Sequence, residues 1–74
     1  MVEKVKSIIG DYLGIKVEKI KMDMDLINDL NINSYDIMAI VGEFEEAFKI
    51  QVPDRDIRNF KNVQDIVDYM GKKL

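Results

Sequence analysis

The 74-residue sequence has no cysteine, no histidine and no tryptophan, and it has only one proline. Without cysteine, neither a disulfide nor a thiolate metal site can hold the chain together. Without histidine, the commonest general base and the commonest metal ligand of proteins are both missing. We therefore expect a protein that is not an enzyme and has no metal site, and in which any chemistry comes from an attached group.

Long hydrophobic runs are also missing. No apolar stretch approaches the roughly 20 residues that a membrane-spanning helix needs, and the chain starts as an amphipathic segment rather than as a secretion signal. Hydrophobic residues make up 47% and charged residues 34% of the chain, which is the balance of a folded globular protein. We expect one cytoplasmic, monomeric domain over residues 1–74.

Negative charge is concentrated in the middle of the chain. Nine acids against two bases give residues 23–56 a net charge of −7, while the segments on either side each carry +2. A nucleic-acid partner needs a basic surface, so we exclude one. The acidic segment indicates partner proteins with basic patches, or else a solvated face that only keeps the protein soluble.

Hydrophobic spacing predicts three main helices, over residues 2–13, over residues 34–49 and from residue 63 onward. Gly14 is expected to end the first helix in a left-handed conformation. Asn62 is expected to cap the last helix, with Asp65 three residues later as in a capping box. The expected buried residues of the first two helices are Val2, Val5, Ile8, Ile9, Tyr12 and Leu13, and Ile37, Ile40, Val41, Phe44, Ala47 and Phe48.

The connections between these helices carry further predictions. Residues 15–33 contain many aliphatic side chains and are expected to pack against the helices, with a short helical turn at residues 26–30. Asp54 is expected to cap a short helix that carries Ile57 and Phe60, and residues 50–52 are the one doubtful strand. The predicted fold class is all-α: a small bundle of three main helices plus one short helix.

Ser34 stands where the long connection meets the second helix. The ordinary role of a serine there is to cap the helix with its hydroxyl. Asn33 can cap equally well, and Ile37 rather than an acid lies three residues after Ser34, so Ser34 does not start a capping box. If Asn33 is the cap, Ser34 lies in the first turn, where free N–H groups and the helix dipole favour a negatively charged group.

The segment Asp29-Leu30-Asn31-Ile32-Asn33-Ser34-Tyr35 resembles the Asp-Leu-Gly-x-Asp-Ser-Leu motif of acyl carrier proteins. Residues 44–48, 50–54 and 63–70 also resemble this family, so the similarity covers nearly the whole chain. It implies that a phosphopantetheinyl transferase uses coenzyme A to attach phosphopantetheine to Ser34. The thiol of that arm would hold acyl groups as thioesters for enzymes of fatty acid or specialised acyl and polyketide biosynthesis.

The resemblance also implies a docking surface on the second helix for transferring or condensing enzymes with basic patches. Its expected residues are Tyr35, Asp36, Met38, Gly42, Glu45 and Glu46. The core residues expected to shelter part of the acyl chain are Val5, Ile9, Val41, Phe44 and Ile66. Two alternatives stay open: a peptidyl or aminoacyl carrier, and an unmodified helical protein-interaction domain.

Three residues depart from the family motif. Asn31 stands where the family has glycine, and asparagine is the next-best residue for a left-handed backbone. Asn33 replaces an aspartate and Tyr35 replaces a leucine, so both change the surface beside Ser34. Gly42 also stands where similar carriers have a bulky residue. These differences bear on which partners the protein binds rather than on whether it carries an arm.

Two other uses of the same residues are discounted. Asp29, Asn31 and Asn33 match the first ligand positions of an EF-hand loop, but Ser34 and Ile40 occupy its glycine and closing glutamate positions. Catalysis by a serine is not expected either, because neither serine has a histidine or a lysine arranged as its base.

Overall fold

The computed structural model describes residues 1–74 and contains four α-helices and one 3₁₀ turn. Helix α1 spans Val2–Leu13, α2 spans Ser34–Phe48, α3 spans Asp54–Ile57 and α4 spans Val63–Lys73; the 3₁₀ turn, which was not predicted, spans Val17–Lys19. The all-α prediction of three main helices plus one short helix is confirmed, and residues 50–52 form no strand. None of these helices has both the length and the apolarity that crossing a bilayer requires.

A single hydrophobic core holds the helices together. It contains sixteen buried residues, and Val5, Ile9, Phe44, Val63 and Met70 are among the least exposed. The connection between α1 and α2 contributes Ile20, Leu26, Leu30 and Ile32 to the same cluster, which confirms that this long segment packs against the helices. Burying each such side chain stabilises the fold by roughly 1.5–3 kcal/mol before the entropy cost is subtracted.

Three residues expected in the core lie on the surface instead. Val2 and Tyr12 of α1 are exposed, and so is Ala47 near the end of α2. Val2 is the first residue of its helix, so it projects beyond the packed part of α1. Tyr12 lies outside the core because its hydroxyl donates a hydrogen bond to Asp36 at 3.1 Å. In the last turn of α2 Phe48 packs against the core and is partly buried, whereas Ala47 is exposed.

The helix ends follow the predicted rules with one correction. Gly14 adopts the left-handed conformation, with φ of 72°, as expected. Helix α2 ends one residue earlier than predicted, because Lys49 also takes a left-handed conformation with φ of 58°. The prediction that Asp54 caps α3 is wrong: Pro53 occupies the cap position with φ of −61°, and Asp54 is the first helical residue. The short helix ends at Ile57, so Phe60 is buried beyond it.

Gly10 lies very close to the backbone of Ile15, which the sequence did not predict. A Cβ atom added to Gly10 would lie 2.5 Å from the carbonyl oxygen of Ile15. The chain folds back tightly here, since the N–H of Ile15 donates to the carbonyl of Gly10 at 2.9 Å. Glycine is therefore required at this position for space, although its backbone is ordinary helix.

The segment before α2 is built around two aspartates. The Asp25 carboxylate accepts hydrogen bonds from the N–H groups of Ile27 and Asn28 at 2.9 and 2.8 Å, and the Asp29 carboxylate accepts the N–H of Asp25 at 2.7 Å. Residues 26–30 form a hydrogen-bonded turn rather than a helix. Asn31 then takes the left-handed conformation predicted for it, with φ of 56°, and directs the chain into α2.

Candidate functional site at the start of α2

The start of α2 is fixed by Asn33. Its side-chain oxygen accepts the N–H of Asp36 at 2.8 Å, and the Asp36 carboxylate accepts the N–H of Asn33 at 3.2 Å. The two residues form a complete capping box. Asn33 is thus the cap, and Ser34 is the first residue of the helix rather than the cap.

This arrangement leaves Ser34 free. The residue is exposed, and its hydroxyl makes no hydrogen bond within the protein because Asn33 supplies the capping oxygen. The backbone N–H groups of Ser34 and Tyr35 also have no protein partner. Unpaired N–H groups at a helix start favour a negatively charged group, so a phosphate ester at Ser34 would lie in a suitable electrostatic position.

Asp36, one of the predicted docking residues, has a structural part in the same cap. Besides its bond to Asn33, it accepts the hydroxyl hydrogen of Tyr12 at 3.1 Å. That hydrogen bond is the main reason why the pKa of Tyr12 is raised above its usual value of 10.0. The contact joins α1 to the start of α2, and it holds the Asp36 carboxylate close to the protein surface.

A groove runs beside Ser34 between α2 and α3. We call it the serine groove; its volume is about 370 Å³. Five of its eight lining residues are hydrophobic, and two of these are well exposed: Ile27 at 63% and Met38 at 50%. The lining residues are Ile27, Ser34, Ile37, Met38, Asp54, Ile57, Arg58 and Phe60. Such a mixture suits an arm that combines a phosphate with methylene and amide groups.

The core beneath the serine groove is closed. A cavity in the core has a volume of about 10 Å³, which is about the space of one water molecule, and an entirely hydrophobic lining. Ile37 and Phe60 line both this cavity and the serine groove, so they separate the two. Four of the five residues expected to shelter an acyl chain, Ile9, Val41, Phe44 and Ile66, line the cavity. The core would have to open before an acyl chain could enter.

Short helix α3, which forms one wall of the serine groove, is tied to α4. The hydroxyl of Tyr69 donates to the Asp56 carboxylate at 2.7 Å, and the Tyr69 ring packs edge-on against Phe60 at a centroid distance of 5.2 Å. Burial, and secondly this hydrogen bond, raise the pKa of Tyr69 to about 12. These contacts position Phe60 and the end of α3 beside Ser34.

The other predicted docking residues lie along the outer side of α2. Tyr35 is 87% exposed, and a Cβ added to Gly42 would have no atom within 4 Å. Gly42 opens a second groove of about 600 Å³, lined also by Glu45, Glu46 and residues 50–53. We call it the glycine groove. The Glu45 carboxylate accepts the N–H of Val52 at 2.9 Å, whereas Glu46 is exposed and makes no such bond.

Sequence reasoning missed Tyr12 and Arg58 as neighbours of this site. Tyr12 reaches Asp36 across 24 positions of the chain, and no local pattern marks such a contact. Arg58 enters the serine groove because α3 ends at Ile57 and Arg58 follows directly. The sequence offers only one signal for it: Arg58 is a basic residue two positions after the end of the acidic segment 23–56.

Comparisons with known proteins agree with this geometry. Residues 3–70 match the family described as "Phosphopantetheine attachment site". The acyl carrier protein of Bdellovibrio bacteriovorus is 41% identical over 70 residues, which is 95% of this chain and 90% of that protein. The acyl carrier protein of Akkermansia muciniphila is 43% identical over 70 residues, with coverage of 95% and 88%.

A solved structure supports the fold in the same way. A Mycobacterium tuberculosis protein assigned as an acyl carrier protein superposes with a TM-score of 0.92 at 25% identity, over 99% of this chain and 97% of that one. The free serine at a helix start and the amphipathic groove beside it fit the covalent phosphopantetheine group that such proteins hold. On this evidence the chain belongs to the acyl carrier protein family, which carries a covalently attached phosphopantetheine prosthetic group.

Proposed function

We propose that Ser34 carries the phosphopantetheine arm and that the protein delivers acyl groups to enzymes of fatty acid or related acyl and polyketide biosynthesis. The observation that supports this most is the free, exposed hydroxyl of Ser34 in the first turn of α2. The arm would supply a thiol that forms thioesters with acyl groups. The protein itself acts as carrier and not as catalyst.

The chemistry of attachment would belong to a phosphopantetheinyl transferase. In that step the Ser34 oxygen forms a bond to the phosphorus of the phosphopantetheine part of coenzyme A, and its proton passes to a base of the transferase. The pyrophosphate bond breaks, and the nucleoside bisphosphate leaves. Asp36, the acid of the helix cap, already accepts hydrogen bonds from Asn33 and Tyr12. The chain's own contribution is to present the hydroxyl and leave two N–H groups free beside it.

The test is an intact mass measurement. The purified apo protein is incubated with a broad-specificity phosphopantetheinyl transferase, Mg²⁺ and coenzyme A. We expect the mass of one phosphopantetheine group to be added to nearly every molecule. A folded protein whose mass does not change would contradict the carrier function and would favour an unmodified interaction domain.

The relatives favour an acyl cargo over an amino acid. Both curated relatives described above are acyl carrier proteins. A loaded protein should therefore accept malonyl groups from a malonyl transferase, and it should not be charged by an amino-acid-activating enzyme. The opposite result would assign the protein to peptidyl or aminoacyl carriers.

We propose that partner enzymes dock on the outer side of α2. Tyr35 and Met38 supply exposed apolar surface, Gly42 opens the glycine groove, and Glu45 and Glu46 place two carboxylates along its wall. Clustered acids speed the approach of a basic partner, although each exposed pair is weak and is screened by salt. Asp36 adds charge near Ser34 but is also needed for the helix cap.

The structure decides which acid to change in a docking test. Glu46→Lys alters an exposed carboxylate without a hydrogen bond, whereas Glu45→Lys would also remove the acceptor for the Val52 N–H. We expect Glu46→Lys to slow loading by the transferase at low salt, with a smaller effect at high salt. Glu18→Lys makes the same charge change outside α2 and is the matched control. Equal rates for both variants at low salt would contradict docking at Glu46.

Tyr35 and Gly42 indicate a dedicated partner. A glycine inside a helix costs roughly 0.5–1 kcal/mol relative to alanine, and no atom of this protein occupies the space that Gly42 leaves. We propose that a partner inserts a side chain into the glycine groove and packs against the Tyr35 ring. General fatty-acid enzymes should then use the Tyr35→Leu/Gly42→Met variant better than the native protein. If they use both equally well, the protein is not specialised in this way.

A further inference from the structure

Arg58 is the only basic residue that lines the serine groove. It is exposed and follows directly after the last residue of α3. The other arginine of the chain, Arg55, lies outside this groove, and its guanidinium is 4.0 Å from the Asp56 carboxylate. That contact is the only ion pair in the structure, so Arg58 has no acidic partner. Asp54 lines the same groove but does not pair with it.

Arg58 places a positive charge beside an acidic region of the protein. Residues 23–56 carry a net charge of −7, and a phosphodiester at Ser34 adds a further negative charge to that region. A cation in the same groove reduces the resulting repulsion. The planar guanidinium of arginine also binds phosphate and carboxylate groups through two parallel hydrogen bonds, which lysine cannot do.

The dipole of helix α3 does not explain why an arginine stands at position 58. Cations are favoured near a helix C-terminus because of the helix dipole, but α3 has only four residues. The other residues that line the groove are five hydrophobic residues, Ser34 and Asp54, and none of them forms an ion pair with Arg58. The charge of Arg58 therefore has no partner within the protein.

We propose that Arg58 binds an anionic group held in the serine groove. The group is either the phosphodiester that joins the arm to Ser34 or a carboxylate at the end of the cargo, such as that of a malonyl group. The proposal rests on the attachment of the arm at Ser34. It adds a binding residue, and in the carboxylate case a preference for acyl groups that end in a negative charge.

The experiment compares four forms of the full chain: apo, loaded with phosphopantetheine, loaded with acetyl-phosphopantetheine and loaded with malonyl-phosphopantetheine. The three loaded forms are made from coenzyme A, acetyl-coenzyme A and malonyl-coenzyme A, and intact mass confirms each of them. The Nε–H signal of Arg58 is then followed by ¹H–¹⁵N NMR, and the ³¹P signal of the arm is recorded in parallel.

The two sources of the anion give different results. If Arg58 binds the phosphodiester, its Nε–H signal shifts between the apo and the phosphopantetheine form, and Arg58→Gln shifts the ³¹P signal. If it binds the cargo, the Nε–H signal shifts only between the acetyl and the malonyl form. An Nε–H signal that is the same in all four forms overturns the proposal while leaving the carrier function intact. Failure to load at all would overturn both.

Two variants control for indirect effects. Arg55→Gln removes an arginine three residues away that does not line the groove, so it should leave the ³¹P signal and the thermal shift on loading unchanged. Asp54→Asn removes the only acid of the groove and should preserve or enlarge the Arg58 effect. Loading should raise the melting temperature of Arg55→Gln as much as that of the native protein. The rise should be smaller for Arg58→Gln. If both arginine variants behave alike, the effect is general electrostatics and Arg58 is not a binding residue.

Discussion

The starts of α2 and α4 are built with the same cap. At α2, Asn33 accepts the Asp36 N–H at 2.8 Å and Asp36 accepts the Asn33 N–H at 3.2 Å. At α4, Asn62 and Asp65 make the corresponding two bonds at 2.9 and 3.2 Å. Each cap is a complete capping box with the asparagine in an extended conformation.

The two helix starts differ in the residue that follows the cap. Val63 is fully buried in the core, whereas Ser34 is exposed. The N–H groups of Val63 and Gln64 donate to the carbonyls of Met24 and Met22 at 3.1 and 2.9 Å. The equivalent groups of Ser34 and Tyr35 have no partner. The start of α4 is therefore closed by the preceding segment of the chain, whereas the start of α2 keeps two N–H groups without a partner.

The largest effect should come from exchanging these two residues. Val63→Ser places a hydroxyl in the core and loses apolar contact, so the free energy of unfolding should fall by roughly 2–4 kcal/mol. Ser34→Val makes the reverse change on the surface and should alter it by no more than about 0.5 kcal/mol. Urea unfolding measures both. Similar losses for the two variants would show that the two helix starts do not differ in burial as described.

The two caps themselves should differ less. Removing an asparagine cap costs about 1 kcal/mol, so Asn33→Ala and Asn62→Ala should each lower the free energy of unfolding by about that amount. The loss should be larger for Asn62, which is partly buried, than for exposed Asn33. Asn33→Asp and Asn62→Asp keep a capping oxygen and serve as controls in the same urea measurement. A larger loss at Asn33 would contradict this ranking.

The smallest effect concerns pH. Only the α2 cap has a tyrosine partner. The second hydrogen bond to Asp36 comes from the Tyr12 hydroxyl, whereas the second bond to Asp65 comes from the Lys61 N–H. The pKa of Tyr12 is raised in the folded protein, so its contribution to stability is complete below the unfolded value of 10.0. The contribution is lost as pH rises through the raised pKa.

Alkaline unfolding tests this difference. The gap in unfolding free energy between the native protein and Tyr12→Phe should be largest near pH 8 and should shrink above pH 10. Tyr35→Phe changes an exposed tyrosine without such a bond and should show no gap at either pH. A gap for Tyr12→Phe that does not depend on pH would mean that the Asp36 bond contributes nothing. Burial raises the pKa of Tyr69 to about 12 in the native protein; both variants keep this residue and its contacts, so its contribution should cancel in the comparison.

Local rules account for the parts of this structure that the sequence predicted. Gly14, Asn31, Asn33 and Asn62 each act through their own backbone or through a partner three residues away, and periodicity located the helices. Proline at the start of α3 took the cap position expected for Asp54 because its fixed φ already suits that position.

Contacts between distant segments were not predictable in this way. Position 10 requires glycine because the carbonyl oxygen of Ile15 lies close to it. Tyr12 was expected in the core, but it lies on the surface and its hydroxyl donates to Asp36. The serine groove depends on how α3 lies against α2, and a single sequence carries no signal for that packing. Hence the sequence predicted that Ser34 follows the cap of α2, but it did not predict that Arg58 lines the groove beside Ser34.

The most direct test of the account uses the two serines of the chain, Ser7 and Ser34. The apo forms of Ser34→Ala and Ser7→Ala are each treated with transferase and coenzyme A and weighed intact. We predict that Ser7→Ala gains one phosphopantetheine group as the native protein does. Ser34→Ala should gain none, although its circular dichroism stays native because Asn33 still caps the helix. Phosphopantetheine added to a folded Ser34→Ala protein would contradict the central claim that the open start of α2 is the attachment site.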